Sequence, residues 1–382
     1  MSTAHLETAS PPPESGTRPR RIAFVVTSMH GGGAEAVGVA WIAWFAQAGY
    51  EVSVLMVSDK PVLDGLAPSV RVREFGRVGG HFAKVRALRR AVQEDQFDAI
   101  VALQTYPNLL TVAATRRRRG RPTVVLTEHN LISLGLPGSP LSHRAKVWLA
   151  KRWYRRADAV TSASHPVGAE MASAFNVPPS RSLVVPNPAL AKVADRDPVR
   201  RIPGTADGIQ LVLACRLVPQ KSPHLALHAA RALRDRGIDT EVVSFGGGPL
   251  QAELVALAAE LGVRFTPHGW VEDWFSHFAP NSVVILPSYR EGLGNVLVEA
   301  AARGVPAVAV STALGVADAI IPGVTGELAF SDDPESIADA VEAASELTME
   351  DVDSWLDRFT AESSSALLER AIAYASRAEA RV

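Results

Sequence analysis

Asn281 to Gly304 reads N-S-V-V-I-L-P-S-Y-R-E-G-L-G-N-V-L-V-E-A-A-A-R-G. Val283 to Leu286 is a short apolar, mostly β-branched run of the kind buried in a parallel sheet, and Asn295 to Arg303 follows as a helix with Val296 and Ala300 on one face. The loop between them carries Glu291, Gly292, Leu293 and Gly294. A strand, a glycine-containing loop and a helix start bring free backbone N–H groups and a positive dipole end together, which suits a phosphate or diphosphate. Glu291 precedes the helix and Glu299 lies about one turn inside it. The two carboxylates are therefore suited to holding hydroxylated groups on either side of a diphosphate, a sugar at one and a ribose at the other. That is the layout of a nucleotide-sugar site, with Gly292, Leu293, Gly294 and Asn295 cradling the bound group.

The block E-G-L-G-N-V-L-V-E-A, with seven residues between its two glutamates, resembles the signature of the family 4 retaining glycosyltransferases of GT-B fold. Other blocks stand in the order of that family: a Gly-rich first loop with Gly32 and Gly33, T-E-H-N around His129, V-P-N-P, R-L-V-P-Q-K from Arg216 to Lys221, and F-G-G-G-P-L around Gly247. The resemblance implies an α/β protein with two doubly wound Rossmann-like domains facing a central cleft, the donor bound mainly by the second and the acceptor by the first. It implies retaining transfer of a hexosyl or N-acetylhexosaminyl unit from a nucleoside diphosphate sugar to an acceptor hydroxyl, in lipid-linked glycan, polysaccharide or glycolipid assembly. His129 then contacts the donor sugar, Arg216 and Lys221 hold the diphosphate, and Glu291 completes the catalytic group. No metal is required, because a leaving diphosphate served by fixed cations has its developing charge already met. One departure stands out: S-T-A-L-G-V, from Ser311, lacks the usual G-G of the loop behind the sugar.

The composition agrees with a globular enzyme. At 382 residues and 40.7 kDa the chain exceeds one typical core. A net charge of −1 gives no global field for nucleic acid. Cys215 is the single cysteine, which excludes an internal disulfide framework and a cysteine zinc cluster, and its place in I-Q-L-V-L-A-C suggests a core thiol. Met1 to Arg20 is rich in Pro, Ser and Thr without an apolar stretch, so it reads as a disordered tail, not a signal peptide. No run approaches a membrane span. A cytoplasmic protein is expected, with room for peripheral contact at the inner face of the membrane.

Strands and helices alternate from Arg21 onward, with strands at Val70 to Phe75, Ala99 to Leu103 and Thr123 to Thr127, and a parallel sheet follows. The first domain is expected over 21–188 and a polar, proline-bearing linker over 189–207. The second domain is expected over 208–351, with I-P-G-V-T-G-E-L as a turn-rich hairpin. A last helix from Val352 to Tyr374, within 352–382, is expected to cross back to the first domain.

The helix around Arg144 to Arg156 interleaves six cations with Trp148, Trp153 and Tyr154, and Arg116 to Arg119 add to the charge. Two readings stand side by side: a helix lying on anionic headgroups or gripping a lipid diphosphate, and a solvated face with inward aromatics. Gly31, Gly33 and Ala36, with Asp59 after the second strand, also imitate a dinucleotide fingerprint. Asp195 and Asp197 spell D-x-D, but in the linker, where solvated charge is the simpler reading. A nicotinamide oxidoreductase, a nucleotide-sugar epimerase and a non-catalytic sugar-nucleotide binder are the alternatives to transfer.

Overall fold

The computed structural model describes residues 20–29, 32–59, 66–115, 120–135, 138–193 and 197–379. The expectations for the N-terminal tail before Arg20, for Gly31, for Arg116 to Arg119 and for Asp195 fall outside these residues.

Two parallel sheets organise the chain. The first contains β1 (Arg21–Val26), β2 (Glu51–Met56), β3 (Arg71–Glu74), β4 (Ala99–Leu103), β5 (Thr123–Glu128), β6 (Ala159–Ser162) and β7 (Ser182–Val184), in the order β3-β2-β1-β4-β5-β6-β7. The second contains β8 (Ile209–Leu213), β9 (Thr240–Phe245), β10 (Arg264–Gly269), β11 (Ser282–Leu286), β12 (Ala307–Val310) and β13 (Gly326–Ala329), in the order β10-β9-β8-β11-β12-β13. In each sheet the order reverses direction between the first and fourth strands, the switch point where ligands meet the carboxyl ends of the strands. Central runs such as Ala99–Leu103 and Ser282–Leu286 are buried at every residue, as strands covered on both faces must be.

In the first domain α1 (Gly33–Gln47) covers one face, and α2 (Gly80–Asp95), α3 (Thr105–Thr115) and α4 (Leu141–Trp153) cover the other. After β6 comes α5 (His165–Ala174), capped by the Ser164 hydroxyl. The second domain carries α6 (His224–Asp235), α7 (Gln251–Leu261), α8 (Asn295–Ala301) and α9 (Pro334–Ser345). Asp333 starts α9 by accepting from the Glu335 and Ser336 N–H groups, with Pro334 in the first turn, where its missing donor is no loss. The chain ends in α10 (Asp353–Leu356) and α11 (Ala361–Glu379).

Leu368 and Ile372 of α11 bury against Trp41, Phe45 and the first sheet, and the Ser376 hydroxyl meets Thr123 at 2.9 Å. The last helix thus packs on the first domain. It is not continuous from Val352, since a 3-10 turn at Asp357–Phe359 and extended Thr360 separate α10 from α11 and turn the chain across the domains. The hairpin expected at I-P-G-V-T-G-E-L is corrected: β13 pairs parallel with β12, Ala307 opposite Gly326 through Val310 opposite Ala329. A Cβ at Gly326 would overlap the Ala307 carbonyl, so the turn residues there serve a close parallel approach. No helix among the described residues is long and apolar enough to cross a membrane.

Candidate active site

Glu291 leaves the end of β11 and lies 6% exposed at the mouth of the second sheet. Its Oε1 accepts from the Lys221 ammonium at 2.5 Å and from the Ser288 hydroxyl at 2.6 Å, and its backbone N–H donates to the Ala313 carbonyl at 3.1 Å. Oε2 accepts no hydrogen bond among the described residues. Lys221 is aimed by a 3-10 turn, Pro219–Lys221, that ends on Ser222 at φ +43°. The Leu217 N–H donates to the Gly247 carbonyl at 3.0 Å, and a Cβ at Gly248 would overlap the Leu217 carbonyl. The two loops therefore form one surface, on which Arg216 is exposed. Burial pushes the Cys215 thiol up to about 12, Lys221 and Arg216 pulling against that and Glu291 adding to it. At neutral pH it is an inert neighbour, not a nucleophile.

The loop lacking the usual G-G places Leu314 at φ +58°, a conformation that favours glycine. A strained, half-exposed leucine thus backs Glu291, paired with it through a lone parallel bridge.

Gly294 takes φ +87° to start α8, Leu293 is buried in the core of the second domain, and Asn295 is the first helical residue. Gly292 is needed for a different reason. A Cβ there would overlap the His129 carbonyl, so this glycine lets the second domain touch the first. Nearby, a Cβ on Gly33 would be 3.6 Å from Asn295 Nδ2, and a Cβ on Gly32, the residue that caps α1, would overlap the Glu35 carboxylate.

His129 follows β5. Its Nδ1 lies 3.0 Å from Asn187 Oδ1, its Nε2 lies 3.1 Å from the Thr127 hydroxyl, and Trp41 tilts against the ring at 5.7 Å. Burial lowers its pKa to about 4, so the imidazole is neutral at physiological pH. Beside it, burial raises the Glu128 carboxyl to about 7 against the hydrogen bonds from Tyr154, Asn108 and Thr105.

Glu299 stands apart from the Glu291 cluster. It is 1% exposed, accepts from Lys192 at 3.1 Å and from the Trp274 indole at 2.9 Å, and burial raises its pKa despite both. Each oxygen already has a donor, leaving one lone pair on each for a further hydroxyl.

Sequence reasoning singled out neither Asn187, although V-P-N-P contains it, nor Arg290. The Arg290 guanidinium donates to the Leu131 carbonyl of the first domain at 3.0 Å and to Gln220 at 3.3 Å, and it lies against Gly135. Lys192, Trp274 and Ser288 were missed too: Lys192 and Trp274 meet Glu299 from other segments of the chain, and Ser288, only three residues before Glu291, is aimed at it by the turn of the loop.

Two doubly wound domains facing a cleft, with a cation, carboxylate and glycine cluster at the carboxyl ends of the second sheet, define a protein of GT-B architecture. Family models bear this out: Glycosyltransferase Family 4 matches residues 31–189 and Glycosyl transferases group 1 matches residues 195–355. The chain belongs to this group 1, family 4-like set of glycosyltransferases. A D-inositol 3-phosphate glycosyltransferase from Geodermatophilus obscurus is 34% identical over 219 residues, covering 52% of this chain and 48% of the relative. The chain thus spans about half the length of that relative. A GDP-mannose-dependent alpha-(1-6)-phosphatidylinositol monomannoside mannosyltransferase from Mycolicibacterium smegmatis is 29% identical, over 66% of this chain and 69% of the relative. Among solved structures, the apo lipopolysaccharide outer core galactosyltransferase WaaB superposes with a TM-score of 0.72 at 18% identity, covering 92% and 99% of the two chains. Anabaena HepE in complex with UDP-glucose gives 0.65 at 18% identity, covering 94% and 98%.

Proposed function

We propose that the protein transfers a hexosyl or N-acetylhexosaminyl unit from a nucleoside diphosphate sugar to an acceptor hydroxyl with retention of configuration. The observation that carries this reading is the Lys221–Glu291 pair: an ammonium fixed on the 3-10 turn Pro219–Lys221 near exposed Arg216, and a buried carboxylate with one oxygen unclaimed among the described residues. In this reading Arg216 and Lys221 take the charge that develops on the diphosphate as the glycosidic C–O bond breaks. Glu291 Oε2 accepts a sugar hydroxyl and Glu299 the ribose, while Gly32, Gly33 and the Gly247 loop let the backbone approach the bound donor. The departing phosphate oxygen accepts the acceptor hydroxyl's proton on the face where the new bond forms, so neither glutamate acts as a nucleophile.

An acceptor in lipid-linked glycan, polysaccharide or glycolipid assembly fits the outward face of α4, where Leu141 is 83% and Trp148 61% exposed among cations. The test is a screen of nucleoside diphosphate sugars, scored by release of nucleotide with and without candidate acceptors. Acceptor-dependent release with an α-linked product from an α-linked donor supports the reading. Conversion of the donor sugar without an acceptor points to epimerisation, and the absence of turnover with any donor points to a binding protein. Turnover is expected to survive EDTA, because side-chain cations already serve the diphosphate; its loss on chelation and return with magnesium or manganese overturns that expectation.

A further inference from the structure

Three stretches of chain meet at one amide. Asn187 lies between β7 and a 3-10 turn at Ala189–Lys192, where the chain passes from one domain to the other, and it is 5% exposed. Its Nδ2 donates to Asn295 Oδ1 of the second domain at 2.9 Å, and its Oδ1 lies 3.0 Å from His129 Nδ1 of the first. An amide nitrogen can only donate, so the bond to Asn295 turns the Asn187 oxygen toward the imidazole. An oxygen there accepts, which requires the proton on Nδ1. From this geometry we infer that Asn187 is a positioning residue, holding His129 as the Nδ1–H tautomer with Nε2 free to accept from the donor sugar. The inference rests on the glycosyl-transfer reading for the identity of that sugar and on nothing but the hydrogen bonds for the tautomer.

The neighbouring contacts are consistent with this. The Thr127 hydroxyl has one proton and two acceptors in reach, His129 Nε2 at 3.1 Å and the Ala102 carbonyl at 3.1 Å. It can give up Nε2 to an incoming sugar hydroxyl and keep a partner, so the exchange leaves no buried polar group unpaired. The segment bearing Asn187 is braced from behind. Ser364 of α11 donates to the Pro186 carbonyl at 2.6 Å and accepts from the Trp41 indole at 2.9 Å, and Trp41 is the ring that faces His129. Because Asn295 belongs to the second domain, the amide is oriented only while the domains are docked. The tautomer that suits the sugar is therefore tied to closure.

The test reads the tautomer directly, from long-range proton–nitrogen correlation spectra of the full chain, with the His129 signals assigned by their loss in His129→Gln. The wild type is expected to show protonated Nδ1 and bare Nε2. Asn187→Asp keeps an acceptor for Nδ1–H and should keep the tautomer, whereas Asn187→Ala should release it and lower kcat at least tenfold with a smaller change in donor KM. Protonated Nε2 in the wild type, or an unchanged tautomer in Asn187→Ala, overturns the inference, and the first result does not depend on Asn187→Ala folding. An Nδ1–H tautomer lost in Asn187→Ala, in a protein that transfers from no donor, supports the positioning and removes the reading of the reaction.

Discussion

Lys221 and Glu291 hold each other with side chains 17% and 7% exposed, so removing either charge strands the other in a poorly hydrated place. Glu291→Gln and Lys221→Met keep the volume, so fold and function can be separated. Both are expected to lose about a hundredfold or more in kcat/KM with a cooperative melt retained, because a charge-assisted contact at the reacting centre is what each supplies. Near wild-type turnover in a folded variant would remove the assignment. A second prediction concerns the adjacent pair Glu128 and His129. The His129 pKa falls from 6.5 to about 4 on folding, so the unfolded chain binds the extra proton and stability drops as pH falls through that window. Glu128 rises from 4.5 to about 7, so the folded chain binds the extra proton and stability drops as pH rises through its window. The two slopes oppose each other where the windows overlap. Glu128→Gln, which still accepts from Tyr154, should unmask the histidine: its melting temperature should fall more steeply between pH 6.5 and pH 4.5 than that of the wild type. Parallel curves would show that the Glu128 shift is absent, and a variant curve that stays flat over this range would show that the His129 shift is. His129, Lys221 and Glu291 could be proposed from sequence because each sits in a short block that resembles one of the family's blocks. Asn187 and Arg290 were not, because their partners lie 58 to 159 residues away and only the docked domains bring them near.

Elements were legible wherever burial is local. Runs such as V-V-I-L and A-I-V-A-L can only be covered strands, and both are. β13 was not, since glycine and threonine after a proline look like a hairpin turn while the actual partner strand lies about twenty residues upstream and parallel. The α4 segment divides the two readings offered for it. Tyr154 and Val147 turn inward and are buried, but Trp148 stands out with the Arg152 guanidinium 5.7 Å from its ring, and Leu141, Arg144 and Arg155 share that side. α2, on the same face of the sheet, adds Phe82 at 94% exposure beside exposed Arg86 and Arg90. Apolar rings among cations with no carboxylate within α4 fit an anionic interface better than bulk water. Each such cation contributes about 1 kcal/mol near an anionic surface. Flotation with phosphatidylserine-containing liposomes is expected to show binding that salt weakens and that the combined variant Trp148→Ser, Arg152→Gln, Arg155→Gln largely loses. Equal binding by that variant, or none by the wild type at low salt, would make the face an ordinary solvated one.

At the scale of the whole molecule, two sheets of like order are joined by two crossings, one through Asn187 and one through the break before α11. Two further contacts close the cleft. On the side of Glu291, Arg290 reaches the Leu131 carbonyl, with Gly292 against His129. Elsewhere, Asp318 accepts from both the backbone and the ring of His165 at 2.7 Å. His165 is 70% exposed, and an exposed pair of this kind is worth about 1 kcal/mol or less. Closure held by contacts of that size is shallow, so losing one should shift the closed population severalfold without unfolding either domain. Enzymes that shed a diphosphate need such a balance, since the cleft must shut to exclude water and reopen to let the nucleotide leave. Arg290→Ala combined with Asp318→Ala is therefore expected to enlarge the radius of gyration measured by small-angle scattering. A saturating nucleoside diphosphate should restore the wild-type value through Arg216, Lys221 and the Gly247 loop, and the variant's melting temperature without ligand should change little. Scattering curves that coincide with and without the two substitutions would mean that the chain crossings alone fix the domains, and that neither contact governs opening.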